Sequence, residues 1–255
     1  MTERLVRPIR PAATVILVRD VPEGQYQIFM LKRTSRAAFA GGMFVFPGGK
    51  VEPDDHLHKY DAWRTGPSED QRAQKLALGS EWRGFWIAGI RESFEEAGLL
   101  LAYDESGKLL EYHDIESAAR YDAYRHDVHE GRLSLLDICQ REHLSLALDH
   151  IHYFNRWITP EGRPRRFDTR FFIAEAPLVQ EGLHDEKETV DSLWISPGEA
   201  LERHHADDFG LMRVTEMQLT ALAEFDTVSD IRNALHKTRE FPVYRPYLPA
   251  MLPAG

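Results

Sequence analysis

Three glutamates close together in the chain are the residues best suited to do chemistry. Glu92, Glu95 and Glu96 lie in a segment whose apolar residues recur at helical spacing. Positions i, i+3 and i+4 share one helix face, so the three carboxylates would lie side by side near the end of a helix. Like charges at this spacing destabilise a helix by roughly 0.2–0.5 kcal/mol per pair. The cluster therefore needs a compensating cation, and Mg²⁺ prefers carboxylate oxygens.

The alternative interpretation of this cluster is an acidic helix face exposed to solvent, which is what charge clusters usually are. A second segment favours the metal site. Residues 44–52 (FVFPGGKVE) predict an apolar strand that runs into two glycines and then an acidic residue. Glycine allows a backbone carbonyl to approach a ligand closely. The strand end and the glutamate helix together predict a site for a divalent cation.

The two segments together resemble the Nudix box, G-x5-E-x7-R-E-U-x-E-E-x-G-U, in which U is an apolar residue. Gly49 matches the first glycine, and residues 91–99 match the second half except at Ser93, where an apolar residue is usual. Asp55 stands where the pattern has glutamate. Between Asp55 and Arg91 lie 35 residues where the pattern has 7, so 28 residues are inserted into the box.

This interrupted box is similar to the branch of Nudix proteins related to the peroxisomal coenzyme A diphosphatase of mammals, in which an insertion also splits the box. The segments LKRTSRAAFAGGMFVFPGGKVEPDD, FNRWITPEGRPRRFDTRFF and LWISPGEAL resemble the same branch, and the resemblance covers roughly residues 10 to 202. It implies hydrolysis of coenzyme A or acyl-coenzyme A. The products would be 4′-phosphopantetheine, or its acyl form, and adenosine 3′,5′-bisphosphate.

The resemblance also implies a set of metal ligands. Glu92, Glu95 and Glu96 would bind two or three Mg²⁺ or Mn²⁺ ions. Gly48 would contribute its backbone carbonyl, and Glu52 would be an outer carboxylate near the ions. Glu95 and Glu96 are also the predicted catalytic glutamates.

Two further residues complete the predicted catalytic set. Arg91 would hold a glutamate in place by a charge-assisted hydrogen bond, and Asp55 would pair with Arg91. Glu188 lies six residues before a strand tryptophan, where the family often has another acidic residue. It is the candidate for an additional metal ligand or general base, and Glu186 is the alternative. The competing interpretation is a charged surface loop (HDEKE).

Three arginines are candidates for binding a substrate phosphate, because the guanidinium fork suits phosphate oxygens. Arg33 and Arg36 follow a predicted strand, and Arg166 follows a turn rich in glycine and proline. The alternative is ordinary loop charge. His150, His152 and the pair at 204–205 are expected to be structural residues, not metal ligands.

The composition excludes several classes of protein. With 41 acidic and 31 basic residues the formal net charge is −10, which argues against non-specific binding to nucleic acid. The single cysteine, Cys139, excludes an internal disulfide and is expected to lie in the core. The first residues lack an apolar signal core, and the chain has no apolar run of membrane-spanning length. We therefore expect a cytoplasmic protein with a nucleotide diphosphate substrate, no membrane partner and a homodimer as one option.

The pattern of strands and helices predicts an α/β fold, and the resemblance implies a Nudix-type α/β/α sandwich in which helices flank a mixed central sheet. We expect a single domain over residues 1–255, with the box insertion at about 56–84 and a helical segment at about 113–145. Both insertions are expected to shape the substrate pocket or a dimer contact. The predicted strands are 12–18, 26–31, 99–103, 151–158, 167–174 and one ending at 195, and the predicted helices are 69–78, 86–99, 115–129, 134–142, one opening at 196, 215–225 and 228–238.

Two other functions compete with hydrolysis of coenzyme A. One is hydrolysis of ADP-ribose, a dinucleoside polyphosphate or another nucleoside diphosphate derivative. The other is a non-catalytic Nudix-like module that binds a nucleotide and regulates a partner. Such a module would have lost box carboxylates, and the presence of all three box glutamates counts against it.

Overall fold

The computed structural model describes residues 8–22, 26–35, 40–112, 114–163, 165–177 and 189–246. Its elements, in chain order, are β1 (Arg10–Asp20), β2 (Tyr26–Arg33), β3 (Phe44–Val45), β4 (Gly48–Lys50), β5 (Arg64–Thr65), α1 (Arg72–Leu78), α2 (Trp82–Ala97), β6 (Ala102–Tyr103), α3 (Ile115–His129), α4 (Leu135–Glu142), β7 (Ser145–Ala147), β8 (Ile151–Ile158), β9 (Phe167–Glu175), β10 (Thr189–Ile195), α5 (Pro197–His205), α6 (Arg213–Leu222), α7 (Val228–Lys237) and β11 (Val243–Tyr244).

The main sheet is mixed, as the resemblance implied. Its strands lie in the order β10-β2-β1-β9-β8-β11, with β3 beside β2 and β4 beside β1. β1 and β9 are parallel, whereas β1 pairs antiparallel with β2 and with β4. β1 and β2 correspond to the first two predicted strands, 12–18 and 26–31. A second, three-stranded sheet has the order β5-β7-β6.

The two faces of the main sheet carry two separate cores. Along β1, Val15 and Leu17 pack into the cluster that contains α2, whereas Ile16 and Val18 pack into the cluster that contains residues of α5, α6 and α7. Successive strand residues point to opposite faces, so a continuous apolar run is the signature of a strand covered on both sides. The predicted α/β/α sandwich is confirmed. In the described part of the chain, no helix combines the length and the apolar character that crossing a membrane requires.

The insertion in the box covers one edge of the main sheet. β8 pairs with β11 only at Arg156 and Trp157, so the opposite end of β8 needs other partners. Gln71 Nε2 donates to the carbonyl of Ile151, and Gln74 Oε1 accepts from the Tyr153 amide at 2.7 Å. The insertion therefore satisfies backbone groups that an open strand edge would expose.

Most predicted elements are present, and the differences have local causes. The helix that carries the glutamates begins at Trp82, one turn before its predicted start, because the residues of that turn are largely buried against the core. β11 lies in the proline-rich tail and was not predicted. Val243 and Tyr244 form a strand by pairing with β8, and no local sequence pattern predicts this pairing.

Candidate active site

The end of α2 is fixed by two local features. Gly98 adopts the left-handed conformation (φ 71°) and donates from its amide to the carbonyl of Phe94, which ends the helix at Ala97, two residues before its predicted end at 99. Ser93, the residue that departs from the box pattern, is fully buried. Its hydroxyl donates to the carbonyl of Leu99 at 2.9 Å. The serine therefore holds the chain that leaves the helix, and the departure leaves the glutamate cluster intact.

Arg91 lies at the centre of the site. Its Nε and Nη2 donate to the two carboxylate oxygens of Asp55, each at 3.0 Å, so the predicted pair forms despite the shorter side chain. Nη1 donates to Glu92 Oε1 and Glu95 Oε1, both at 2.8 Å, and Nη2 donates to the carbonyl of Lys50 at 2.8 Å. One arginine thus joins the start of the box, before the insertion, to the glutamate helix after it.

Glu96 is held by the glycine strand. The amide of Gly48 donates to Glu96 Oε2 at 2.8 Å. This amide is available because bonded and non-bonded pairs alternate along an antiparallel ladder. The Val15 amide bonds to the carbonyl of Pro47, so the next pair, Thr14 and Gly48, is a non-bonded one. The amide and the carbonyl of Gly48 consequently both face away from β1, on the side of Glu96.

Gly49 allows Glu92 to lie against the strand. A Cβ atom built on Gly49 would lie 2.5 Å from Glu92 Oε1 and 2.6 Å from Oε2, so the carboxylate of Glu92 would have to shift. Because Gly49 pairs with Ala13 on the face of the sheet that α2 covers, any side chain at 49 would displace this carboxylate. The first glycine of the box is therefore required by close approach.

The site has more negative than positive charge. Three carboxylates (Asp55, Glu92 and Glu95) pair with Arg91, and a fourth, Glu96, lies on the same helix and accepts from the Gly48 amide. The pKa of Glu92 is raised to about 8, chiefly by burial; Arg91 lowers it and the charge of Glu95 raises it, and both effects are included in that value. Burial lowers the pKa of Arg91, but its bond to Asp55 and the charges of Glu92 and Glu95 outweigh burial and raise it. A further cation would relieve this imbalance.

The donor set suits a hard divalent cation, since it offers carboxylate oxygens and one backbone carbonyl. Throughout the described ranges, no three His, Cys, Asp or Glu side chains are already grouped as they would be around a bound ion. Arg91 spans Glu92 and Glu95, and the Gly48 amide holds Glu96. The carboxylates are thus brought to one helix end and oriented by protein partners.

Arg125, a residue that sequence reasoning missed, contacts the same helix end. It lies in α3, and its Nε and Nη2 donate to the carbonyls of Glu95 and Glu96 at 2.9 and 3.0 Å. A cation at a helix C-terminus stabilises the helix by about 0.3–1 kcal/mol when exposed and by up to about 2 kcal/mol when partly buried. Only the docking of α3 on α2 brings Arg125 here, so the sequence carries no local signal for it.

The other predicted site residues are distributed more widely. Glu52 is exposed, and its amide donates to Asp55 Oδ2 at 2.8 Å, which places it beside the Arg91 network. Arg33 ends β2. Arg166 precedes β9, where its Nε donates to the carbonyl of Thr159 at 3.3 Å. Arg36, Glu186 and Glu188 lie outside the described residues.

The residues expected to be structural are so placed. Cys139 is buried in the core, and burial raises the pKa of its thiol to about 12, which makes it a poor nucleophile. His150 and His204 each bond through a ring nitrogen to a backbone carbonyl, at 3.0 and 2.8 Å. His152 is buried beside the insertion, with Nδ1 3.4 Å from Gln71 Nε2.

Comparison with known proteins now decides the family. Residues 63–215 match the family model described as the NUDT19 Nudix domain, which is more than half of the chain. The chain belongs to the Nudix hydrolases. The match begins inside the insertion and includes the three box glutamates, so the predicted family and enzyme class are confirmed.

Curated relatives of this Nudix hydrolase agree with the family match. The acyl-coenzyme A diphosphatase NUDT19 of Gallus gallus is 30% identical over 276 residues, which cover 91% of this chain and 72% of the relative. The protein of the same name from Homo sapiens is 26% identical over 254 residues, which cover 87% of this chain and 67% of the relative.

A solved structure supports the fold. The Nudix hydrolase of Alicyclobacillus acidocaldarius superposes with a TM-score of 0.71 at 24% identity, covering 89% of this chain and 97% of that one. The sandwich of this Nudix hydrolase, with its interrupted box, is therefore also the fold of a crystallised protein of the same superfamily.

Proposed function

We propose that this Nudix hydrolase cleaves the diphosphate linkage of coenzyme A or acyl-coenzyme A with the help of a divalent cation. The products would be 4′-phosphopantetheine, or its acyl form, and adenosine 3′,5′-bisphosphate. Two facts support this substrate. The chain resembles proteins named acyl-coenzyme A diphosphatase over most of its length, and its box is interrupted as in that branch.

One observation carries the proposal for the site. Three glutamates from the last turns of α2 are gathered against the glycine strand, two by Arg91 and one by the Gly48 amide. Burial of so much like charge destabilises a protein unless the charge has a use. Nudix hydrolases generally use divalent metal ions. We therefore assign Glu92, Glu95 and Glu96 as the residues that hold Mg²⁺ or Mn²⁺.

The proposed reaction is a hydrolysis without a covalent enzyme intermediate. A bound divalent cation would neutralise the diphosphate and acidify the attacking water. The water oxygen forms a bond to one phosphorus, the bridging P–O bond breaks, and the bridging oxygen leaves with the other phosphate. A carboxylate takes the proton of the water, and Glu188 is our candidate for this base.

Other residues have supporting parts in the proposal. The Gly48 carbonyl, which faces away from β1, is a candidate ligand. Glu52 is a candidate outer carboxylate. Arg91 keeps the glutamates in one arrangement. Arg33, Arg36 and Arg166 are candidates for binding the phosphates of the substrate.

The experiment that tests the function is hydrolysis of coenzyme A with Mg²⁺ or Mn²⁺, comparing wild type with Glu96→Gln. Glu81→Gln is the matched control, because Glu81 is exposed and lies at the other end of the same helix, on the order of 20 Å away. We expect metal-dependent release of adenosine 3′,5′-bisphosphate by wild type and by Glu81→Gln, with loss of release in Glu96→Gln.

A panel of diphosphates separates the substrate from the site. Cleavage of ADP-ribose or a dinucleoside polyphosphate in preference to coenzyme A, with the same dependence on Glu96, would retain the site and reject the substrate. If wild type cleaves no diphosphate with either metal, the protein is better explained as a nucleotide-binding module.

A further inference from the structure

We propose that Arg125 is a positioning residue for the metal-binding glutamates and that α3 thereby sets the affinity of the site for its cation. This inference rests on the proposed function in one respect, namely that Glu95 and Glu96 bind a divalent cation. It concerns a residue outside the box, on a helix that follows the glutamates in the chain.

Arg125 bonds directly to the backbone of the two glutamates. The last four carbonyls of an α-helix have no partner within the helix. Arg125 Nε donates to the carbonyl of Glu95 at 2.9 Å, and Nη2 donates to the carbonyl of Glu96 at 3.0 Å. These carbonyls belong to the same two residues whose side chains are proposed to bind metal. The fork therefore fixes the backbone from which both ligands project.

The contact between Arg125 and the end of α2 is buried and closely packed. The Arg125 side chain is only 7% exposed. A Cβ atom built on Gly98 would lie 3.3 Å from Arg125 Nη1, so the glycine that ends α2 also makes room for the guanidinium. Burying an arginine requires hydrogen bonds to its charge, and here the carbonyls at the end of α2 supply two of them.

α3 also contacts the glutamates at a second point, through His129. His129 lies four residues after Arg125, on the same face of α3. Its Nδ1 is 3.8 Å from Glu95 Oε2, and the side chain is 29% exposed. Asp122, one turn before Arg125, has Oδ1 4.0 Å from Arg125 Nη1. This face of α3 therefore contacts the end of α2 at two points: the backbone carbonyls of Glu95 and Glu96, and the side chain of Glu95.

A positioning role and a purely electrostatic role for Arg125 predict opposite changes in cation affinity when Arg125 is removed. A positive charge near a cation site weakens cation binding, so removing that charge alone would tighten it. If Arg125 instead holds the ligand backbone, its removal loosens Glu95 and Glu96 and weakens binding. Loss of a residue that orients metal ligands typically reduces metal affinity by about 10–100-fold.

The test is direct binding of Mn²⁺ to the whole protein without substrate, measured from the electron paramagnetic resonance signal of free Mn²⁺. The variants are Arg125→Met, which removes the fork and the charge, and Arg125→Lys, which keeps the charge but cannot donate to both carbonyls in the same geometry. The control is Arg120→Met, because Arg120 lies on the same helix but bonds to Glu142 on α4.

We expect Arg125→Met to weaken Mn²⁺ binding by about tenfold. Arg125→Lys should have an intermediate effect, and Arg120→Met should match wild type. The half-saturating metal concentration for hydrolysis should rise in parallel. Unchanged or tighter binding in a folded Arg125→Met would overturn the inference. If that variant does not fold, as judged by circular dichroism, Arg125→Lys decides: weaker binding supports the inference, and wild-type binding overturns it.

The outcomes also separate this inference from the proposed function. If wild type binds no Mn²⁺, both fail. If wild type binds Mn²⁺ and the Arg125 variants bind it equally well, only the role of Arg125 fails. If the Arg125 variants lose Mn²⁺ affinity while wild type does not cleave coenzyme A, only the substrate fails.

Discussion

Two buried polar clusters in this protein stabilise their buried groups in different ways. The acidic cluster consists of Arg91 with its surrounding carboxylates at the end of α2. The amide cluster consists of Gln71, Gln74 and His152 at the edge of β8. The first buries like charges around one cation. The second buries neutral groups that bond to the backbone.

The difference indicates what each cluster is for. Neutral amides that complete backbone hydrogen bonds stabilise the fold and need no cation. Carboxylates gathered at a helix C-terminus destabilise the fold unless a cation arrives. We therefore expect substitutions in the acidic cluster to change activity more than stability, and substitutions in the amide cluster to do the reverse.

Gly49→Ala should give the largest effect. The new Cβ would lie within about 2.5 Å of Glu92 Oε1, so the carboxylate must move. A displacement of about 1 Å in a catalytic group costs on the order of 10²-fold in rate. We expect the rate of diphosphate hydrolysis to fall by at least about that factor, measured as kcat at saturating metal.

Gly198→Ala is the control for this substitution. Gly198 lies near the start of α5, and a Cβ built there meets nothing within 4 Å. Replacing glycine by alanine at a compatible helical position stabilises a protein by about 0.4–1 kcal/mol. Wild-type activity with equal or slightly higher thermal stability is expected. A Gly49→Ala enzyme as active as Gly198→Ala would show that the position of Glu92 does not limit the reaction.

Gln71→Met should have the largest effect on stability. Gln71 is fully buried, and its Nε2 donates to the carbonyls of Leu148 and Ile151. The carbonyl of Ile151 also accepts from Trp86 Nε1 and keeps that hydrogen bond in the variant, whereas the carbonyl of Leu148 loses the bond from Gln71. Leaving buried backbone groups without partners costs about 2–3 kcal/mol in the free energy of unfolding.

Urea denaturation would measure this loss, with Gln140→Met as the control because Gln140 is exposed on α4. The kcat of Gln71→Met should stay within about twofold of wild type, since the residue contacts β8 and not the box. A stable variant with lost activity would reverse the proposed contrast between the two clusters.

The parts of the fold that the sequence predicted well depend on local signals. α3 and β8 have the ends that the sequence predicted, and α2 ends within two residues of its predicted end. The pairing of Asp55 with Arg91 was also expected, because the box pattern survives on both sides of the insertion. These features require only residues near one another or a pattern that spans the gap.

The features that the sequence did not predict depend on tertiary contacts. Arg125 is one of several charged residues on α3, and only its docking on α2 distinguishes it. Gln71 and Gln74 are polar residues of a predicted helix, and nothing in their type or spacing indicates that both are fully buried at a strand edge. Val243 joins the sheet by pairing with β8, which is distant from it in the sequence. Polarity in the sequence therefore did not separate exposed residues from buried ones with partners.

The amide cluster should also make stability depend on pH through His152. Burial lowers the pKa of His152 from 6.5 to about 3, with the charge of His236 adding to the effect. Above pH 6.5 the residue is neutral in both states. Below pH 6.5 His152 becomes protonated in the unfolded chain but stays neutral in the folded protein. The free energy of unfolding therefore falls as the pH drops from 6.5 toward 3. The loss from this group is about 2 kcal/mol at pH 5.

Unfolding at several pH values, comparing wild type with His152→Gln, would isolate this contribution. The variant should lose less stability between pH 7 and pH 5. His58→Gln is the control, because the His58 side chain is 87% exposed. Identical slopes for wild type and His152→Gln would mean that the folded protein accepts the proton at this position.

Gln74→Met should have the smallest effect, although Gln74 is as buried as Gln71. Its Oε1 accepts from the Tyr153 amide, and losing that acceptor costs about 1–3 kcal/mol. Its Nε2 has no hydrogen-bond partner among the described residues, so methionine also removes a buried donor whose desolvation costs a similar amount. The two terms oppose, and we expect a net change below about 1 kcal/mol by urea denaturation. A loss as large as that of Gln71→Met would show that a buried water bonds to Nε2, and that the amide cluster extends beyond its protein partners.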